Sequence, residues 1–252
     1  MDTIVSFAKE ILCEELNNSI LIVEDRAYVK HIFVNTFYNS NPEVMSSENG
    51  RLNQLFRYKV KEYQDCMNQG EYADILMLIE RPWRLNWVYE FRELIKNNLG
   101  IEGYYEIVAE AYNDTENAWQ YKNEVIELFY FGNQPHLMMG NDEKADFLEL
   151  PDELKVYRGV CLNEMDSECD FLGSSWSLDF DKAKWFATRS GFEKSAYPLV
   201  FSMTINKGDV LSYFTRRNES EILIDYTKID LEKVEFIYPK KKSNQSYESR
   251  RC

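Results

Sequence analysis

Apolar residues recur at three- and four-residue steps through the first half of this chain. Val5, Ala8, Ile11, Leu12 and Leu16 form one stripe, and Leu52, Leu55, Phe56, Val60 and Tyr63 form another. That spacing gathers side chains on one face of a helix. Arg81-Pro82 suits a helix start, because proline is tolerated in a first turn, and Trp87, Val88, Phe91, Leu94 and Ile95 continue an apolar face. Asn97, Asn98 and Gly100 are expected to end it. A further helix is predicted from near Asn117 through Trp119, Val125, Ile126 and Phe129 to Gly132. The stretch from Gly132 to Leu150 opens with Gly, Asn and Pro and reads as the join between two regions.

Beyond that join the rhythm becomes alternation. Leu154-Lys155-Val156-Tyr157-Arg158-Gly159-Val160 has the period of a strand, and the runs 197–205, 210–214, 222–226 and 234–238 are short, apolar and β-branched. One helix intervenes, with Ser177 or Asp179 as its cap and Ala183, Phe186 and Ala187 as its buried stripe. The expected fold class is α+β: a helical region over residues 1–150, a strand-rich domain over 151–239, and a basic, disordered tail over 240–252.

Composition supports a globular protein and narrows its chemistry. The 252 residues are 44% apolar and 15% aromatic, ample for a core. Asp2, Glu10, Glu14 and Glu15 occupy the place where a secretory signal needs a basic start and an apolar run, so a cytoplasmic protein without membrane contact is expected. The five cysteines, Cys13, Cys66, Cys161, Cys169 and Cys252, show no C-x-x-C pair and read as reduced thiols. With only His31 and His136 present, hydrolase triads have little material, and no metal site is expected. The net charge of −14 is uneven: residues 1–150 hold 13 Lys+Arg against 26 Asp+Glu, and residues 151–252 hold 16 against 17. A nucleic-acid partner would therefore need a local basic patch, which Arg216, Arg217, Lys240, Lys241, Lys242, Arg250 and Arg251 can supply.

Three short strings carry the candidate chemistry. In Tyr157-Arg158-Gly159, a strand arginine beside glycine can offer a planar charged fork to a phosphate pair while the glycine admits a ligand to the backbone. It can equally be a surface arginine. In Ser175-Trp176-Ser177, an extended backbone turns both hydroxyls the same way, so that one can bond a carboxylate while the other caps the following helix. Capping alone would also explain them, with Trp176 in the core or in a cleft wall. In Glu219-Ser220-Glu221, alternation places both carboxylates on one face opposite Ile222. Paired carboxylates suit work at a glycosidic bond, one stabilising an oxocarbenium-like centre and the other handling a proton. A solvated strand edge is the plainer alternative.

Taken together, with spacings of 17 residues from Arg158 to Ser175 and 44 from Ser175 to Glu219, the strings resemble the arginine-serine-glutamate class of ADP-ribosyltransferases. Flanking residues extend the likeness: Val156-Tyr157-Arg158-Gly159, Ser175-Trp176-Ser177-Leu178-Asp179 with Ala183 and Phe186, and Glu221-Ile222-Leu223-Ile224. The resemblance spans about residues 154–238 and includes bacterial and phage members of that superfamily. It implies two packed, mostly antiparallel sheets around an NAD cleft, with NAD+ as co-substrate and no metal. Arg158 would hold the pyrophosphate and the nicotinamide-side ribose, Gly159 the nicotinamide carboxamide, and Ser175 and Ser177 would line the pocket. Ser175 would position Glu221, the residue that stabilises the cation as nicotinamide leaves, and Glu219 would orient or deprotonate the acceptor. Tyr213, Phe214, Arg216 and Arg217 would belong to the loop that meets the target.

The resemblance implies mono-ADP-ribosylation of a macromolecule, either a protein arginine or a nucleobase amino group of RNA or DNA. An intracellular toxin or phage-related effector, with an antitoxin or inhibitor as partner, would fit. An NAD glycohydrolase and a non-catalytic binding module are the alternatives. Trp176 departs from the threonine frequent at the centre of the family's Ser-x-Ser string, which alters the adjoining wall of the pocket.

Overall fold

The computed structural model describes residues 12–23, 26–38, 42–115, 118–163, 172–189, 196–216 and 219–239. Two compact units divide the chain, Met1–Tyr121 and Lys122–Cys252. The basic tail from Lys240 and residues Asn117, Cys169, Arg217 and Cys252 lie outside the described residues. Cys13, Cys66 and Cys161 are free thiols. Among the described residues no helix is long and apolar enough to cross a membrane.

The first unit is not purely helical. After a short helix α1 (Glu14–Asn17) come β1 (Ile20–Val23), β2 (Arg26–His31) and β3 (Val34–Tyr38), an antiparallel three-stranded meander that helical periodicity did not announce. Its second turn is built from Ile32 and Phe33 rather than Gly or Asn, so the usual turn signal is missing. The His31 Nδ1 accepts from the Phe33 amide at 3.1 Å, and the ring meets Phe56 edge-on at 5.0 Å. Burial lowers the His31 pKa against a weaker opposing effect from Glu15. This imidazole is a structural turn residue.

Helices α2 (Pro42–Gln69), α3 (Tyr72–Leu78) and α4 (Arg84–Asp114) complete the unit. Leu52 and Phe56 of the predicted stripe are buried, while Leu55 is exposed at its edge. The expected stop at Gly100 is observed, and it is also a reversal. At 31 residues, α4 would be about 46 Å long if straight, at 1.5 Å per residue. Yet Arg84 at its start binds the Asp114 carboxylate at its end, and Arg81 reaches the same carboxylate at 3.4 Å. Gly100, at φ 74° and ψ −174°, is the point where the helical path breaks and the chain can double back.

The second unit begins earlier than the expected boundary at residue 150. It contains α5 (Lys122–Tyr130), α6 (Asn141–Glu149), β4 (Glu153–Asn163), β5 (Ser175–Ser177), α7 (Phe180–Thr188), β6 (Ala196–Asn206), β7 (Val210–Phe214), β8 (Glu221–Ile224) and β9 (Glu235–Tyr238). Side chains explain the shift. Phe147 of α6 stacks on Tyr213 at 6.2 Å, Lys207 donates to the Leu148 and Leu150 carbonyls, and the Tyr130 hydroxyl of α5 reaches Asp225 at 3.1 Å. The polar opening of 132–150 looks like a linker, but its end carries apolar anchors.

The strands run in the order β7-β8-β5-β4-β6-β9, with every pairing antiparallel. The order contains two three-stranded halves, because β4 and β5 pair only at Tyr157 and Ser177. Both halves share one core: Leu154, Val156 and Met203 from one, and Trp176, Tyr213, Ile222 and Ile224 from the other. On the opposite side of β4, α7 packs Ala183 and Ala187 against Val200 and Tyr157. The α+β class with mostly antiparallel sheets is thus the observed architecture.

Candidate functional site

The three strings converge where β4 parts from β5. Antiparallel pairing at Tyr157 and Ser177 does not continue toward Arg158 and Gly159, so the strands diverge there. The Arg158 guanidinium spans the fork, donating from Nη1 to the Ser175 carbonyl at 2.5 Å. Gly173 lets it lie there, since a Cβ at that position would come within 2.5 Å of Arg158 Nη2. The approach to β5 is held from the other side by Trp176, whose buried indole Nε1 donates to the Gly173 carbonyl at 2.9 Å. Trp176 is therefore a core residue with a satisfied polar tip.

Ser175 also donates its hydroxyl to Glu221 Oε1. One residue thus ties a permanent cation to a carboxylate, through its carbonyl on one side and its hydroxyl on the other. The β5–β8 register sets this up by pairing Ser177 with Glu221 and Ser175 with Leu223, which leaves Ser175 on the diagonal from Glu221. Arg158, Ser175 and Glu221 are all partly buried, neither sealed in the core nor fully in water. Such a site holds its charges in defined positions and leaves them open to a ligand.

Ser177 does different work from Ser175. Its buried hydroxyl donates to the Glu219 carbonyl at 2.7 Å and accepts from the Asp179 amide at 3.0 Å. The cap of α7 is Asp179, whose carboxylate accepts from the Asp181 and Lys182 amides. Leu178 donates to the Ser220 carbonyl at 3.0 Å. These two bonds pull the backbone of 219–220 toward β5 and accompany a left-handed Ser220, at φ 44°. The extended path expected through Glu219-Ser220-Glu221 is therefore broken at its centre, and β8 begins only at Glu221. Simple alternation does not place Glu219; the bonds to Ser177 and Leu178 do. A serine in this region costs about 1 kcal/mol relative to glycine.

Gly159 answers first to packing. A Cβ there would sit 1.6 Å from the Ala183 carbonyl oxygen and 2.9 Å from the Ala187 nitrogen. The glycine lets α7 lie directly on β4, and its side-chain position faces that helix.

Two of the residues that the resemblance assigns to the target loop lie instead in the strand that the run 210–214 predicted. Tyr213 and Phe214 belong to β7, paired with Ile222 and Glu221, and are 6% and 1% exposed. Their aromatic run fills the sheet and so cannot meet a partner. Arg216 is exposed on the loop that follows, and Arg217 lies outside the described residues. Sequence reasoning passed over Glu143 of α6. Its carboxylate is buried, accepts from the Gly140 amide at 2.9 Å, and accepts from the Thr215 amide at 3.1 Å. The only hint was Glu143 three residues after Gly140, the spacing of a capping box.

Among the described residues no cluster of His, Cys, Asp and Glu could hold a metal. No protein-family model, curated protein or solved structure matches this chain.

Proposed function

We propose that this protein is an NAD-dependent mono-ADP-ribosyltransferase whose fold of two sheet halves is ADP-ribosyltransferase-like, with the NAD cleft at the fork between β4 and β5. The observation that carries the reading is the link through Ser175, which brings Arg158 and Glu221 together across separations of 17 and 46 residues. Those are the residues the resemblance assigns to the donor half of the site.

The chemistry follows from charge. The nicotinamide ring of NAD+ is cationic and leaves neutral, so positive charge develops on the ribose in the transition state. A fixed carboxylate at Glu221 stabilises that charge, and Ser175 holds the carboxylate so that little reorganisation is needed. Arg158 matches the pyrophosphate in charge and shape. Its present hydrogen bond to the Ser175 carbonyl keeps the guanidinium at the fork. Glu219, at the root of β8, is the group to orient or deprotonate a nitrogen nucleophile, in a protein arginine or a nucleobase, and Arg216, three residues earlier in the chain, is exposed. The function is that of an effector or toxin acting on a macromolecule.

The test is to incubate the protein with radiolabelled NAD+ and a cell extract, then divide the extract by protease and nuclease. Acid-insoluble label is expected, and the enzyme that removes it identifies the acceptor class. Nicotinamide release without insoluble label would indicate a glycohydrolase. No release and no label would contradict the proposal.

A further inference from the structure

The donor chemistry leaves the buried Glu143 without a part to play. Glu143 is 6% exposed, and burying a carboxylate costs several kcal/mol unless its oxygens are satisfied. Both oxygens are used by backbone. Oε2 accepts from the Gly140 amide at the start of α6, which would be enough to cap the helix. Oε1 does something a cap does not require: it accepts from the Thr215 amide, 72 residues away. Thr215 is the first residue after β7 and the root of the loop that carries Arg216 and returns through Glu219 and Ser220 to Glu221.

That loop is therefore held at both ends. Glu143 fixes its start, and Ser177 and Leu178 fix its end through the Glu219 and Ser220 carbonyls. Glu221 itself depends on neither end alone, since Ser175 and the β5–β8 ladder hold it. The Phe147–Tyr213 ring contact keeps α6 against β7, so the Glu143 oxygen is fixed in space before it meets the loop.

We infer that Glu143 is a positioning residue for the acceptor half of the site, setting how much cleaved ADP-ribose goes to a macromolecule and how much goes to water. The inference rests on the transferase reading of the Arg158–Ser175–Glu221 cluster. Glu143→Gln is the discriminating change. The amide has nearly the same shape but offers one acceptor oxygen, so it can satisfy Gly140 or Thr215 and must turn an N–H toward the other.

The experiment measures three quantities on the full-length protein. These are nicotinamide release from NAD+, acid-insoluble label transferred to a cell extract, and hydrogen exchange at the Thr215 amide. In Glu143→Gln, the ratio of transfer to release should fall about tenfold, and Thr215 exchange should accelerate about tenfold, the scale of one lost hydrogen bond to a charged group. The KM for NAD+ should stay within about twofold, because the donor contacts are untouched. Glu143→Asp, one methylene shorter but still able to accept twice, should recover part of both effects. If Glu143→Gln does not fold, Glu143→Asp decides alone by the same two readouts. An unchanged ratio with Thr215 still protected would overturn the inference. If wild-type protein releases no nicotinamide, the transferase reading fails and the acceptor role falls with it. Thr215 exchange would then report only whether the loop contact exists.

Discussion

Polar networks close the first unit, whereas one network of the second lies at a break in its sheet. In the first, polar side chains close the structure: Arg84 donates to the Ile79 carbonyl and binds Asp114, Lys59 pairs with Glu80 at 2.7 Å, and the Trp87 indole donates to the Tyr63 hydroxyl at 3.1 Å. Each joins one helix or turn to another. In the second unit, Asp225 behaves the same way, gathering Tyr130, Thr227 and Lys228. The Arg158–Ser175–Glu221 link differs. Its members sit where two strands diverge, are partly buried, and join a cation to an anion through a single serine. A polar network that closes a fold and one proposed to meet a ligand differ here in where they lie relative to the sheet's breaks.

Glycines mark the same contrast. Gly100 is needed for its φ of 74°, with nothing within 4 Å of where a side chain would begin. Gly159 is needed for space, because α7 lies against it. The first reverses a helix and the second lets a helix sit beside the site.

The largest expected effect separates the networks by activity. Glu221→Gln preserves shape and removes the charge that matters in the transition state, so transfer should fall about a hundredfold or more, a loss of ~3–4 kcal/mol. Circular dichroism and melting should stay close to wild type. Unchanged transfer would reduce the link to a structural one like that of Arg84.

Next comes Gly159→Ala. The methyl meets helix backbone rather than a flexible side chain, so α7 must move, at a cost of about 3 kcal/mol. Denaturant titration reads this directly, and a change below about 1 kcal/mol would mean that α7 does not lie as close as described. Gly100→Ala should cost less, about 2 kcal/mol, entirely from backbone strain. Restoring glycine character with a D-alanine at that position by chemical ligation should recover it.

Asp225→Asn should give the smallest effect, about 1 kcal/mol near neutral pH. Burial pushes the Asp225 pKa up, but hydrogen bonds from Thr227, Tyr130 and Lys228 together outweigh it and hold the carboxyl below its ordinary value. With the folded value below the unfolded one, the stabilisation is complete above the unfolded pKa of about 3.9. It is lost as pH falls through the folded value. The variant should therefore lose part of the wild type's acid sensitivity below about pH 4. Parallel stability curves for the two proteins in that range would contradict the assignment.

Much of the site was legible because strand periodicity and register are local facts. Arg158 in an alternating run, Ser175 two residues before a second serine, and Glu221 opening Ile222-Leu223-Ile224 could each be assigned to a strand, and antiparallel pairing then brought them together. What escaped depended on distant partners. Glu143 lies among Asp142, Lys144 and Asp146, so its helix looks like a solvated one, and only the fold reveals Thr215 above it. The run 210–214 read as a strand, and only the resemblance moved Tyr213 and Phe214 into the loop; Phe147 and the β8 ladder hold them in β7. The left-handed Ser220 carries no glycine to announce it.

The most direct test is NAD+ binding by calorimetry to wild type, Arg158→Ala and Glu221→Gln. Saturable binding to wild type is expected, weakened about tenfold or more by Arg158→Ala through the lost phosphate fork and largely retained in Glu221→Gln. No binding to the wild-type protein, or binding indifferent to Arg158, would contradict the account of this fork as an NAD site.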